Sequence, residues 1–472
     1  MHDGATAADG ERSRRASTAL TLSVVCAAQF MVVLDISVVN VALPSIEDSL
    51  GFEDGGLQWV VNAYALTFAG FLLLGGRLGD LAGRRRVFLV GLAAFSAASL
   101  AGGLADSAGT LVAARAVQGL GAAILAPTTL AILTASFPEG PRRTRALATW
   151  TAVGIAGGTA GNLVGGVLTE YLSWRSTLLV NVPVGLAAVV LTVRHLRADR
   201  PTPPRPRLDA SGAVVATAGL GVLAYGITQA AGSGWGARST VLCISTGVLL
   251  LIMFVVLEAR FASSPLIPLR IFGNRSVAAG NVAMLFAGAC LNPMWYFLTL
   301  TMQNILGYSP VQTGLAFLPH TIVAIAVGAG AAPWLMSRVD GRVLIAGGAL
   351  LAAAGFWLQA QLTSGSSYAA GILLPAIVFS IGSGMLNTPL TASVNSGIAP
   401  EDAGAASGVM NTTKQVGGAL GLAALVTYAA ASGNDKAALL NSYNRAFYAI
   451  AAIMILTAAV ALALPAHRDR SE

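Results

Sequence analysis

Asp35 is the first residue in this chain whose chemistry stands apart from its surroundings. It lies in the run MVVLDISVVNVALP (residues 31–44), inside an apolar stretch reaching from about Leu20 to Ile46. A carboxylate near the centre of a membrane helix costs roughly 2.5–3.5 kcal/mol to insert, which makes it a functional candidate by default. Burial in hydrocarbon disfavours the charged form of a lone carboxylate, so such a group can exchange a proton when its surroundings change. A second ionisable group follows in LVAARAVQGLGAA (111–123), where Arg115 and Gln118 stand one turn apart. Arg115 is only about five residues into its apolar run and could snorkel to an interface. Gln118 and the small Gly119 and Gly121 beside it instead suit an inward-facing site. The third group is Lys414 in GVMNTTKQVGGALG (408–421). It lies about ten residues inside its run, too deep for snorkelling, with Asn411 and Gln415 on the same helical face. Asn62, in QWVVNAYALTF (58–68), is a further polar side chain in an apolar segment.

Two glycine-rich motifs point to moving parts. GGRLGDLAGRRRVFLVG (75–91) sets Asp80 and the arginines Arg84 and Arg85 in a tight turn. Gly76, Gly79 and Gly83 let two helix ends approach, and Asp80 can face a helix N-terminus or an arginine. Such a turn can act as a charge-paired latch or as a plain basic anchor. GIAGGTAGNLVGG (154–166) carries Gly157, Gly161 and Gly165 at four-residue spacing, which suits close helix packing. Asn162 lies within it. His320 follows Pro319 and could exchange a proton or simply bond a carbonyl freed by that proline. Trp59, Tyr64, Trp295, Tyr296 and Phe297 could stack on a ligand or belong to interfacial belts. The sequence holds no phosphate-binding glycine loop, metal-ligand cluster or Ser/His/Asp set, so no cofactor is expected.

What positions these residues is a series of membrane helices. The chain has 472 residues, 55% hydrophobic and only 10% charged, where soluble domains carry about 25% charged residues. Apolar runs long enough to cross a bilayer recur about fourteen times, from 20–46 to 444–465. Roughly 22 of the 28 basic residues fall in alternate loops and the two tails, against about four on the other side. That asymmetry, and not nucleic acid, accounts for the net charge of +7, and it predicts cytoplasmic N- and C-termini. Cys26, Cys243 and Cys290 all lie in apolar segments, which argues against a disulfide framework.

The runs GLGAAILAPTTLAILTASFPEG (119–140) and GSGMLNTPLTASVNSGIAPED (382–402) repeat a Gly-x-Gly, a proline and a Pro-Glu, with the two prolines 11 apart in each. The sequence thus divides into a disordered cytoplasmic tail (1–18), a six-helix bundle (19–194), linkers with two inserted helices (195–275), a second six-helix bundle (276–465) and a short tail (466–472). Parallel repeats of this kind build carriers with a substrate site at mid-membrane between the halves, and the candidates to line that cavity are Asn62, Arg115, Gln118, Asn162, Asn411, Lys414 and Gln415.

The ordered set LDISVVNVALPSI, QWVVNAYALTF, GGRLGDLAGRRRVFLVG, RAVQGLGAAILAP, GNLVGGVLTEYLSWRSTLLVNVPVG and NTTKQVGGALG resembles the fourteen-helix drug:proton antiporters of the major facilitator superfamily, from about residue 20 to 465. The resemblance implies an all-α polytopic membrane protein of the major facilitator fold, exporting small amphipathic drugs or antibiotics against inward proton flow. It implies that Asp35 carries the proton, that Asp80 belongs to the cytoplasmic latch, and that Arg115 is the basic residue of the fourth helix. Its helix-five motif usually reads Gly-Pro-x-x-Gly-Gly, where this chain has Asn162, so a proline kink is exchanged for an amide. The expected partners are an amphipathic substrate, protons and the lipid bilayer, for a monomer in the inner membrane of a bacterium. The rival readings are a metabolite carrier on the same fold and a polytopic membrane sensor or enzyme.

Overall fold

A bilayer leaves backbone N–H and C=O groups no partner except each other, so apolar runs of this length must become helices. The computed structural model describes residues 2–52, 55–137, 140–196, 209–262, 265–396, 398, 402–430 and 435–465, with the side chains of 2–17, 80 and 403 outside the description. In the first half the helices are α1 (Thr18–Leu50), α2 (Gln58–Gly79), α3 (Arg84–Gly103), α4 (Ala108–Ser136), α5 (Pro141–Tyr171) and α6 (Trp174–His195). Then come α7 (Ala210–Ser233) and α8 (Arg238–Arg260), followed by α9 (Arg275–Ile305), α10 (Pro310–Met336), α11 (Gly341–Gln359) and α12 (Ala369–Val394). The last two are α13 (Ala403–Tyr428) and α14 (Lys436–Leu462). Thirteen of these are long and apolar enough to cross a membrane. The exception is α13, whose polar run from Asn411 to Gln415 lowers its apolarity, although at 26 residues it is as long as its neighbours.

The packing repeats between the halves. α1 lies on α5, α2 on α4, and α3 on α4 and α6; correspondingly α9 lies on α13, α10 on α12, and α11 on α12 and α14. Pro127 and Pro389 sit inside α4 and α12, at equivalent places in this scheme, while Pro138 and Pro400 lie outside the described residues. α7 and α8 pack on each other, and α7 rests on both α2 and α13. The halves meet through α2 on α13, α1 on α9, and α5 on the first turns of α10, Pro310–Ala316. The glycine ladder of α5 faces α1. A methyl group on Gly161 would stand 2.6 Å from Ser37 Cβ, and one on Gly165 2.8 Å from the Val38 carbonyl oxygen.

Some local expectations change. Residues 2–17, read from sequence as a disordered tail, continue α1 as helical backbone. α14 starts at Lys436 instead of 444, so Arg445 lies within the helix, and its guanidinium donates to the Ala430 carbonyl at 2.9 Å. That bond satisfies a carbonyl at the end of α13, where cations are favoured. α6 is interrupted at Val180, because Pro183 has no N–H to give the Leu179 carbonyl. α5, lacking a proline at 162, runs unbroken from Pro141 to Tyr171.

Candidate functional site

Six helices with short connections bring polar side chains far apart in sequence to one point inside the first bundle. Asp35 of α1 is 0% exposed, and its carboxylate accepts three hydrogen bonds. Arg115 Nη1 of α4 donates to Oδ2 at 2.5 Å, while Gln118 Nε2 of α4 and Asn181 Nδ2 of α6 each donate to Oδ1 at 2.7 Å. Gln118 Nε2 also reaches Ser99 Oγ of α3 at 2.7 Å, and its Oε1 accepts from Arg115 Nη1 at 2.7 Å. Arg115 Nε donates to the Val60 carbonyl of α2 at 3.0 Å, and the guanidinium lies 4.4 Å from the centre of the Tyr64 ring.

Local sequence explains the convergence. Ser107 caps α4 by accepting from Thr110 N, which sets the register that turns Arg115 and Gln118 to one face. The interruption at Val180 puts Asn181 at the head of the second segment of α6. The network is therefore an ion pair with its remaining lone pairs and donors largely satisfied, the condition under which a buried charge pair is tolerated. The cation also rests on an aromatic face, which favours it further.

Asp35 is therefore not the lone carboxylate that its apolar neighbours in sequence suggest. Arg115 and Gln118, candidates for a substrate cavity, are turned onto Asp35 within one bundle, at 2% and 0% exposure. Tyr64, considered for ligand stacking, supports Arg115 instead. Ser99 and Asn181 belong to the network and are not singled out by the sequence. Asn181, a polar residue two positions before a proline in an apolar run, carried the only local signal.

The second half holds a separate cluster. Lys414 of α13 is half-buried and meets no hydrogen-bond or ion-pair partner among the described residues. Gln415 Oε1 accepts from Asn292 Nδ2 of α9 at 3.2 Å, and Asn411, exposed on the same face, donates to the Ser407 carbonyl at 3.0 Å. His320 of α10 does not bond a freed carbonyl. Its Nδ1 pairs with Ser380 Oγ at 2.5 Å, and its ring is stacked on Phe379 with an edge toward Trp295.

Asn162 and Asn62 are both buried. Asn162 lies in the seam between the halves, where a Cβ on Gly314 would stand 2.5 Å from the Asn162 carbonyl oxygen. Asn62 has no partner for either side-chain polar atom among the described residues. In the glycine turn, Gly83 takes φ +88°, which favours glycine, and joins α2 to α3. Arg85 donates to the Val193 carbonyl of α6 at 2.7 Å, and Gly76 brings α2 near Pro127 of α4. Arg84 is half-buried at the first turn of α3. The Asp80 side chain lies outside the described residues, so the acidic member of the expected latch is not placed.

The seam between the halves is closed at one end. At the end carrying Leu50 and Tyr171, Gln303 Nε2 of α9 donates to the Val41 carbonyl of α1 at 2.8 Å, and the Val311 N–H of α10 donates to Glu170 Oε2 of α5 at 2.9 Å. A methyl on Gly166 would meet the Pro310 carbonyl oxygen at 2.5 Å. Toward the opposite, arginine-rich end, α5 and α10 become mostly exposed. Such an arrangement can hold a charge pair dry on the closed side while a gap opens on the other. Protonating Asp35 would remove the counter-charge of Arg115 and leave a buried cation without its partner.

Comparison with known proteins supplies a family. The model of the Major Facilitator Superfamily matches residues 25–422. The cephamycin export protein of Amycolatopsis lactamdurans is 54% identical over 458 residues, covering 96% of this chain and 94% of that protein. The puromycin resistance protein of Streptomyces alboniger is 41% identical over 458 residues, covering 94% and 90%. Among solved structures, a peptide transporter POT in complex with sulfate aligns with a TM-score of 0.70 at 16% identity, covering 94% of each chain, a likeness of fold alone.

Proposed function

Because the chain belongs to the major facilitator superfamily, a family of transporters, we propose that it exports antibiotics or similar small amphipathic compounds across the cell membrane in exchange for protons. The observation that carries the proton exchange is the buried Asp35–Arg115 pair with its amide partners Gln118 and Asn181. A proton on Asp35 and the position of Arg115 are mutually dependent, which is what a coupling site requires. The distribution of arginine supports placing both termini in the cytoplasm. The closed end of the seam is then the outer one.

The relatives' names support export of antibiotics over uptake of a metabolite. The cycle would run from this state: substrate enters from the cytoplasm, the seam reopens outward, and a proton from outside reaches Asp35 as substrate leaves. The experiment is to reconstitute the protein in liposomes with a pH-sensitive dye inside and to screen antibiotics for substrate-dependent proton movement. Proton flux that accompanies export of at least one antibiotic is expected. Export at undiminished rate with no pH gradient and no proton movement would remove the proton exchange, leaving export itself standing.

A further inference from the structure

Deep in the membrane the described charges do not balance. Asp35 and Arg115 neutralise each other, and Lys414 remains with no acceptor. It lies roughly 17 Å along α13 from Ala403, about half the bilayer's hydrocarbon thickness. An ammonium at that depth is tolerated where it lines a water-filled gap and not where it faces lipid.

The placement of α13 agrees. One side of this helix packs on α2, through the Thr412 hydroxyl and the Ala69 carbonyl, and on α7 through Thr427 and the Ile227 carbonyl. Another side is fixed to α9, where a Cβ on Gly288 would meet the Lys414 carbonyl oxygen, and Gly421 lies against Ala289. Asn411, exposed, and Gln415, half-buried, stand three before and one after Lys414 at the edge of the side that meets α9. Gln415 is oriented by Asn292, which donates to its Oε1, and this leaves the Gln415 amide nitrogen as a donor without an acceptor among the described residues.

From this we infer that the substrate is an amphipathic monoanion, its carboxylate or similar oxyanion received by Lys414 with Gln415 as the second donor. The inference rests on the export reading above and specifies its substrate class. One unpaired cation matches one negative charge; a cationic drug would add to an uncompensated positive charge, and a dianion would be left half-compensated. The interior-negative membrane potential assists the outward movement of an anion, so the same charge that Lys414 recognises also helps to drive export.

The test is direct binding of N-dansyl-leucine and its neutral methyl ester to the purified full-length protein, read by dansyl emission. The wild type is expected to bind the acid at least tenfold more tightly than the ester. Lys414→Gln should bring the two within about twofold by weakening the acid alone, since a charge-assisted hydrogen bond is lost. Lys414→Arg, which keeps the charge, should retain most of the preference. A wild type that binds the ester as well as the acid, or binds neither, overturns the inference without any variant and so decides the matter even if Lys414→Gln fails to fold. An unchanged acid preference in Lys414→Gln also overturns it. Antibiotic export by the same wild-type preparation would show that the efflux reading survives that failure.

Discussion

The strongest consequence of the structure concerns what happens when one half of the Asp35–Arg115 pair is removed. Taken as a lone buried acid, Asp35 would be expected to be replaceable by asparagine at no cost, since a charge leaves the membrane. The geometry reverses that expectation. In Asp35→Asn, Oδ1 can still accept from Gln118 and Asn181, but an amide NH2 then faces Arg115 Nη1, which now bonds Asp35 Oδ2 at 2.5 Å. The guanidinium is left with the Val60 carbonyl, Gln118 Oε1 and the Tyr64 face, at 2% exposure. Stranding one member of a buried pair costs about 3–5 kcal/mol, most of it the penalty of the unpaired charge.

Arg115→Gln strands the carboxylate instead, with two amide donors still in place, and should cost about 3 kcal/mol. The double variant strands neither and should lose no more than about 2 kcal/mol, giving a coupling energy of about 4 kcal/mol or more between the sites. Equilibrium unfolding in mixed micelles measures each corner of this cycle. Losses that simply add in the double variant would refute the pairing. On the proposed proton exchange, export driven by a pH gradient in proteoliposomes should be absent from Asp35→Asn and from the double variant, because restoring stability does not restore the carboxylate.

Gly314→Val puts atoms where the Asn162 carbonyl now lies, 2.5 Å from the first added carbon, and should hold open the closed end of the seam, the one proposed to face outside. A cysteine placed near Pro310 should then react faster with a membrane-impermeant thiol reagent from outside, and an unchanged rate would count against the assigned seam. Asn162→Pro removes an N–H from the middle of the unbroken α5 and should cost about 3 kcal/mol in the same unfolding assay, whereas a neutral result would mean that the helix already bends there. Asp209 caps α7 by accepting from Gly212 N at 2.7 Å and from Ser211 Oγ at 2.8 Å. Burial pushes its carboxyl upward, but those hydrogen bonds, one with Glu258 and the charge of Arg77 outweigh it and hold it below the usual range. The stabilisation is therefore complete above the ordinary carboxylate value and fades as pH falls through the lower folded one. Asp209→Ala should cost about 0.5–2 kcal/mol at pH 7 and nothing in strong acid, and a pH-independent deficit would contradict this account.

The helices were legible because a membrane-length apolar run has few other fates, and the repeat because Pro127 and Pro389 mark equivalent helices. The glycine ladder of α5 was legible for the same reason, since four-residue spacing defines a face before its partner is known. Residue types were enough to nominate Asp35, Arg115 and Gln118. They could not show that these three meet, because α1 and α4 are 80 positions apart at the contact and nothing in either run specifies the other. Ser99 and Asn181 were missed because a single serine or asparagine in an apolar helix reads as tolerated polarity until its neighbours are known. Lys414 was read as unpaired from its depth alone, and its surroundings agree.

The location of the network bears on the order of events in the proposed cycle. Val60 is two residues from the N-terminal end of α2 and Ser99 four from the C-terminal end of α3, so about 3–6 Å of helix separates them from those ends. Asp35 is nonetheless fully buried, and the seam is shut at that end by Gln303 on Val41 and by Val311 on Glu170. In the proposed cycle, which places that end outside, a proton reaches Asp35 only when the seam parts. While it is shut, the carboxylate is held by Arg115 and two amides, and Lys414 meets no partner among the described residues. In the proposed cycle an anionic substrate at Lys414 would neutralise the second half as the ion pair neutralises the first, and a cavity without net charge is the one that can close cheaply in a low-dielectric medium. Closure without substrate would bury a bare ammonium, and outward opening followed by return without a proton would leave the pair unchanged. In the proposed cycle the two charges thus oppose different errors: Lys414 would resist an empty crossing, and Asp35 would tie release outside to the arrival of a proton.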